Sequence, residues 1–298
     1  MDSLGQVEAS ITADYPAAMV FNKNGIKHYV VYTPPILTAP ITVTFSDGVS
    51  FPVNPDELYV YQAPAYVKVK TKIFLEGNFN TGTLLMDDFL RQAGNIPSEE
   101  PFSNLGYISV NQIVPEAIEN PSTVFATTGN DAIIDWVWLE LREENDASNV
   151  VATRAALLQA DGDIVDLDGN SMVQFSGIPQ GDYYLAIKHR THLGIMTDAP
   201  VTLFPSATNY IDFTASFTNT YGNNAQKNEN GTMLLWCGDS SADGLINALD
   251  RSDTWNFRNQ SGYLNADVNL DGSCNAADRS ITWNNRKLPS QAIFSNGG

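Results

Sequence analysis

Ile133-Ile134-Asp135-Trp136-Val137-Trp138-Leu139-Glu140-Leu141 is apolar on both of the faces a β-strand presents. Alternate residues of a strand point to opposite sides, so this run describes a central strand covered on each side. Its tryptophans could also form a sugar-stacking platform. Aromatic side chains chiefly supply core area, which favours core packing over a carbohydrate site. Working outward, strand-like alternation recurs at Val67–Leu75, Val151–Leu158, Met172–Phe175, Tyr183–His189 and Val201–Leu203. A helix-like stretch covers Leu84–Gln92 and ends at Gly94, a C-cap signal. Pro97, Pro101 and Gly106 mark a long loop.

Toward the N-terminus, short strands are expected at Ile26–Tyr32, Ile41–Phe45, Val49–Val53 and Leu58–Tyr61, separated by Pro34-Pro35, Pro40, Asp47-Gly48 and Pro55. Pro52 cannot donate to a ladder and places its strand at an edge. Some 60 residues is small for a seven-stranded sandwich. Either a neighbouring chain or preceding domain completes it, or it is a small sheet packed on the next domain. The expected organisation is a small β domain over 1–66, a β-sandwich with a helical insertion over 67–225, and a paired-loop module over 232–290.

Ala155-Ala156-Leu157-Leu158 and Val173-Gln174-Phe175-Ser176-Gly177-Ile178-Pro179-Gln180-Gly181-Asp182-Tyr183-Tyr184-Leu185-Ala186 resemble the strand pair of prealbumin-like and Cna-B-type sandwich modules. The resemblance covers roughly residues 130–205. It implies an immunoglobulin-like β-sandwich of the kind used as a spacer or stalk in surface proteins, without an active site.

An internal repeat lies near the C-terminus. Asp239-Ser240-Ser241-Ala242-Asp243-Gly244-Leu245-Ile246-Asn247-Ala248-Leu249-Asp250-Arg251-Ser252-Asp253-Thr254-Trp255-Asn256 is followed, in register, by Asp267-Val268-Asn269-Leu270-Asp271-Gly272-Ser273-Cys274-Asn275-Ala276-Ala277-Asp278-Arg279-Ser280-Ile281-Thr282-Trp283-Asn284. Calcium takes six to eight oxygens, and a twelve-residue loop supplies them from positions 1, 3, 5, 9 and 12 with a carbonyl at 7. In the first loop these are Asp239, Ser241, Asp243, Asn247 and Asp250 with the Leu245 carbonyl. In the second they are Asp267, Asn269, Asp271, Asn275 and Asp278 with the Ser273 carbonyl. Gly244 and Gly272 stand at position 6, where the chain turns sharply. The twelfth residue opens a helix, placing its carboxylate at the favourable end of the helix dipole. Two Ca2+ ions are therefore expected, the first loop being the weaker because Ser241 replaces a stronger ligand.

Asp instead of Glu at position 12, two copies in succession and no helix before the loop resemble the type I dockerin module over Cys237–Leu288. That resemblance implies docking to a cohesin. Recognition in that family uses polar residues at positions 10 and 11, where this chain has Ala248-Leu249 and Ala276-Ala277. The helix surface carrying Trp255, Phe257 and Trp283 is expected to pack on the preceding sandwich. Over Lys68–Leu288 the chain also resembles the C-terminal regions of large secreted or surface proteins of Bacteroidota. Phe74-Leu75-Glu76-Gly77, Arg154-Ala155-Ala156-Leu157-Leu158-Gln159 and His189-Arg190-Thr191-His192-Leu193-Gly194 carry that resemblance.

The 298 residues hold 34 acidic against 16 basic side chains, net −18. Such a chain repels nucleic-acid phosphates and anionic membranes. No apolar run reaches the length of a membrane span. The first residues lack the basic and hydrophobic regions of a signal peptide, so an exported protein would correspond to a mature or processed form. Two cysteines, Cys237 and Cys274, make no disulfide framework; a single bridge and two buried thiols both remain open. Asp161–Asn170 is rich in acids but lacks the loop register, and Asp-Gly pairs are ordinary hairpin turns. His189 and His192, three apart on a strand, are expected on opposite faces. No nucleophile, zinc or phosphate motif occurs. The expected protein is mostly β, extracellular or at the cell surface, calcium-binding and not an enzyme. It acts as a filament subunit, adhesin tail or anchor through a protein partner or self-assembly. The alternatives are a docking module of a polysaccharide-degrading assembly and a carbohydrate-binding protein.

Overall fold

A computed structural model describes residues 4–23, 26–63, 65–112, 114–206, 210–216, 218–290 and 292. The chain forms two compact units. One comprises Met1–Tyr66 with Ser176–Gln180, the other Val67–Phe175 with Gly181–Gly298. Residues 232–290 thus share one compact unit with the large β-sheet.

In the first unit, strands Gln6–Val7, Ala18–Lys23, Ile26–Thr33 and Glu57–Gln62 pair antiparallel in that order, and Ile41–Thr44 pairs with Ser50–Val53. Their inward residues Val20, Tyr29, Val31, Val43, Phe45, Phe51, Val53 and Ala63 form one apolar cluster. Pro52 stands opposite Thr42 in the two-stranded piece, where a missing N–H breaks no central ladder. Tyr29 is buried, and its hydroxyl donates to Asp47 Oδ2 at 2.6 Å.

The second unit is built on a nine-stranded sheet. Its main path runs Val173–Ser176, Tyr66–Lys72, Asp163–Val165, Asp146–Gln159, Ile133–Glu143, Gly181–His189 and His192–Met196. Val201–Leu203 adds to Gly181–His189, and Tyr210–Asp212 pairs parallel with Tyr66–Lys72. Ile133–Glu143 is central, with residues 133–142 all buried. Trp136 and Trp138 are 0% and 1% exposed, so neither offers a ring to a sugar. Trp136 Nε1 donates to the Pro97 carbonyl at 2.9 Å, and Trp138 packs against Phe102 and Tyr107. Burying roughly 200 Å2 of each indole is worth about 5 kcal/mol before entropy is counted.

The helix expected over Leu84–Gln92 contracts to Phe89–Gln92. Leu84 has φ +59°, a left-handed conformation that cannot continue a right-handed helix, and Leu85–Met86 instead pairs with Phe79–Asn80.

Candidate metal centre

The two repeats fold alike. Each twelve-residue loop runs into a nine-residue helix, Ala248–Asn256 or Ala276–Asn284. The entry chemistry is a capping box in both cases. Asn247 Oδ1 accepts from Leu249 N at 2.6 Å while Asp250 Oδ2 accepts from Asn247 N at 2.7 Å. Asn275 Oδ1 accepts from Ala277 N at 2.8 Å while Asp278 Oδ2 accepts from Asn275 N at 2.8 Å. These bonds satisfy backbone N–H groups that a helix start leaves orphaned. They also aim the carboxylates of position 12 back into their loops.

The loop backbones are shaped around the first aspartate. Asp239 accepts from Asp243 N at 3.1 Å and Gly244 N at 2.9 Å; Asp267 accepts from Asp271 N at 3.1 Å and Gly272 N at 2.8 Å. Gly244 and Gly272 have φ of +79° and +86°. A Cβ on Gly272 would meet nothing closer than 3.9 Å, so conformation rather than space selects glycine there. Ala242 and Leu270, at position 4, are both left-handed as well, a shared strain that residue types did not announce.

Some of the expected donors lie close together. In the second loop the Asn269 and Asn275 amides approach Asp271 Oδ2 at 3.0 and 3.4 Å, and Asn275 lies 3.0 Å from the Ser273 carbonyl. In the first, the Asn247 amide lies 3.1 Å from the Leu245 carbonyl, and Ser241 Oγ lies 3.5 Å from Asp239 Oδ1. The Asn247 and Asn275 oxygens stay committed to their helix caps, accepting from Leu249 N and Ala277 N.

Electrostatics point the same way. Asp239, Asp250, Asp267 and Asp278 are 0–2% exposed. Among the described residues none of the four ion-pairs with a basic side chain. Burial, and then the neighbouring Asp250 charge, push the Asp239 carboxyl up to about 7. Burial does the same to Asp267, with the Asp278 charge adding to it, again to about 7. Arg190 offsets part of the Asp267 charge without pairing with it directly, and a divalent cation would supply the remaining compensation. Among the described residues no three His, Cys, Asp or Glu side chains gather as a ready-made metal cluster. The donor set is instead mixed, with amides, hydroxyl and carbonyls between the carboxylates, which suits calcium.

A pseudo-dyad relates the halves. The chain after the first helix pairs with the second loop: Cys274 N donates to Gln260 O at 2.9 Å and Gly262 N to Gly272 O at 3.1 Å. The chain after the second helix pairs with the first loop: Ile246 N donates to Leu288 O at 3.1 Å and Ser290 N to Gly244 O at 2.7 Å. Both cysteines are free thiols. Cys237 Sγ is 2.9 Å from the Val268 carbonyl and Cys274 Sγ is 3.2 Å from that of Thr254. Burial pushes the Cys274 thiol up to about 11, so it stays protonated.

Other expectations change. Trp255, Phe257 and Trp283 are 48%, 41% and 45% exposed and do not pack into the sandwich. Arginines hold the indoles instead: Arg258 and Arg279 lie 4.3 and 5.1 Å from the Trp255 ring, Arg286 and Arg251 lie 4.2 and 4.6 Å from that of Trp283. Stacked guanidinium lets a large ring remain at the surface. His189 and His192 meet, with Nδ1 atoms 3.1 Å apart, because they flank a tight turn between paired strands rather than sharing one strand. The acidic run is used locally. Asp168 caps the turn at Asn170 and Ser171, and Asp166 pairs with Arg154 at 2.5 Å.

No known family model matches the chain. It is similar to a glucan endo-1,3-beta-D-glucosidase of Acetivibrio thermocellus, 35% identical over 101 residues, which is 33% of this chain and 13% of that enzyme. The chain thus spans only a small part of that curated relative. Among solved structures, a glycoside hydrolase of family 81 from Clostridium thermocellum is 46% identical over 20% of this chain and 8% of its own, TM-score 0.19. A type II cohesin–X-dockerin complex from Acetivibrio cellulolyticus covers 76% of this chain and 99% of its own at 14% identity, TM-score 0.38.

Proposed function

We propose that this chain is a calcium-stabilised, non-catalytic attachment part of an extracellular or cell-surface protein. Its C-terminal loops form a dockerin-like pair. The observation that carries the reading is the pair of buried aspartates at positions 1 and 12, without a direct ion pair among the described residues, repeated in two loops of one register. Asp239, Ser241, Asp243, Asn247, Asp250 and the Leu245 carbonyl would hold one Ca2+. Asp267, Asn269, Asp271, Asn275, Asp278 and the Ser273 carbonyl would hold the other. Bound calcium neutralises the crowded carboxylates and cross-links each loop to the start of its helix. Millimolar calcium outside cells fills even weak sites of this kind.

The surface offered to a partner protein is the helix pair. Leu249 is 62% exposed, and Trp255 and Trp283 stand nearby with their arginines. Apolar Ala248-Leu249 and Ala276-Ala277 replace the polar residues expected at positions 10 and 11 of a cohesin-binding face, so the partner differs in chemistry from a typical cohesin. Similarity to a small part of a glucan-degrading enzyme supports a module that accompanies catalytic domains rather than one that performs catalysis. A second reading, self-assembly into a filament, is favoured by the first unit. Met19, Tyr32, Leu58 and Val60 on its four-stranded sheet are 46–67% exposed.

Calorimetric calcium titration of the full chain tests the first reading, with two equivalents bound as the expected result. Two loops that stay empty at millimolar calcium would refute it. Negative-stain microscopy with and without chelator separates compact monomers from calcium-dependent polymers.

A further inference from the structure

We propose that the His189-Arg190-Thr191-His192 turn is a calcium-responsive latch, through which occupancy of the two loops governs the order of the central strand Ile133–Glu143. This rests on the calcium reading above. Asp135, on that strand, is fully buried and accepts from Arg190 Nε at 2.9 Å and Tyr263 OH at 2.6 Å. Arg190 Nη1 donates to the Leu264 carbonyl at 2.7 Å, and its guanidinium lies 4.0 Å from the Tyr263 ring. Tyr263 and Leu264 are on the segment leading into Asp267, the first ligand of the second loop.

The same turn holds the first loop. The Thr191 carbonyl accepts from Gly238 N and from Asp239 N, both at 3.0 Å, and Asp239 is that loop's first ligand. His192 Nε2 donates to the Glu76 carbonyl at 2.9 Å. The Glu76 carboxylate in turn accepts from Cys237 N at 3.0 Å and from Asn285 Nδ2 at 2.5 Å, just after the second helix.

The latch is finely balanced. Arg190 Nη2 is buried without a hydrogen-bond partner, and His189 Nε2 stands 3.3 Å from Asp135 Oδ2, at the edge of hydrogen-bond reach. A buried ion pair is stable only while its remaining hydrogen bonds are made. Without calcium the crowded loop carboxylates repel, the segment carrying Tyr263 and Leu264 is released, and Asp135 and Arg190 lose the bonds that complete them. Coupling between sites is reciprocal, so damage to the latch must also weaken calcium binding.

The test combines calcium titration with hydrogen exchange on the full chain. Chelation is expected to raise exchange in 133–143 and 181–196 by about tenfold or more, as in a sub-global opening. Tyr263→Phe, which removes one hydroxyl from an otherwise intact core, is expected to weaken calcium binding by about tenfold, the scale of one hydrogen bond to a charged group. Arg190→Met is the harsher companion; should it fail to fold, Tyr263→Phe still decides. Two bound calcium ions with strand exchange unchanged on chelation would overturn the latch while leaving the calcium reading intact. A chain that binds no calcium overturns both.

Discussion

The two loops share one ligand pattern and differ in their seating. Around the second, Asn269 is partly shielded, and a Cβ on Gly77 would lie 3.2 Å from the Asn269 Cβ, so the sheet unit backs the loop closely. Asp278 Oδ1 also accepts from two backbone donors, Val268 N at 2.9 Å and Asn269 N at 3.3 Å. Around the first, Ser241 and Asp243 are exposed, and Asp250 Oδ1 takes a single backbone donor, Ser241 N at 3.0 Å. If both loops bind calcium as proposed, equal spacing would not make equal sites. The better-held second loop would give up less freedom on binding.

The largest effect removes both sites together. Calcium at about a hundred times its dissociation constant adds about 2.7 kcal/mol per site. Chelation should therefore lower the melting temperature of the second unit by roughly 10 °C or more in a thermal scan. Next, Asp278→Ala and Asp250→Ala should each abolish one calcium equivalent in titration. Asp278→Ala should cost about 1 kcal/mol more in denaturant unfolding, since it strands one additional backbone donor.

Acid probes the second loop's tether. Burial alone would raise the Asp135 carboxyl, but Arg190, then His189 and Tyr263, outweigh it and hold it well below the usual carboxylate range. A depressed folded pKa gives stability that is present above the unfolded value of about 3.9 and is lost as pH falls through the folded one. Acid unfolding of Asp135→Asn should accordingly show a flatter pH dependence below about pH 4 than the parent chain. A smaller effect should come from Ser241→Asn, which makes the first loop's position 3 that of the second. It is expected to tighten the weaker site severalfold, narrowing the gap between the two binding steps. Smallest, Trp255→Ala and Trp283→Ala should each cost about 0.5–1 kcal/mol, the scale of an exposed cation–π contact, while leaving both calcium steps in place.

What could be read from the residues was local. Each loop is written within twelve consecutive positions, and so are the glycine at its sixth and the capping box at its end. The central strand was equally legible, because apolar residues fall on both of its alternating faces. Adjacent strands are recognisable at Val151–Leu158 and Tyr183–His189, whereas Ala18–Lys23 and His192–Met196 lack clean alternation. At Leu84 a turn of positive φ overrides the residue's helical propensity.

From sequence alone came the mostly β class, the two repeated loops and the twelve residues proposed as their ligands, since each depends on residues close together along the chain. Only the tertiary structure decided that Trp255 and Trp283 stay outside under arginine, that His189 meets His192, and that Asp135 joins Arg190 and Tyr263 across 128 residues. Those outcomes depend on which surfaces remain after distant segments pack, and on the cost of leaving a buried charge unpaired, neither of which local spacing encodes.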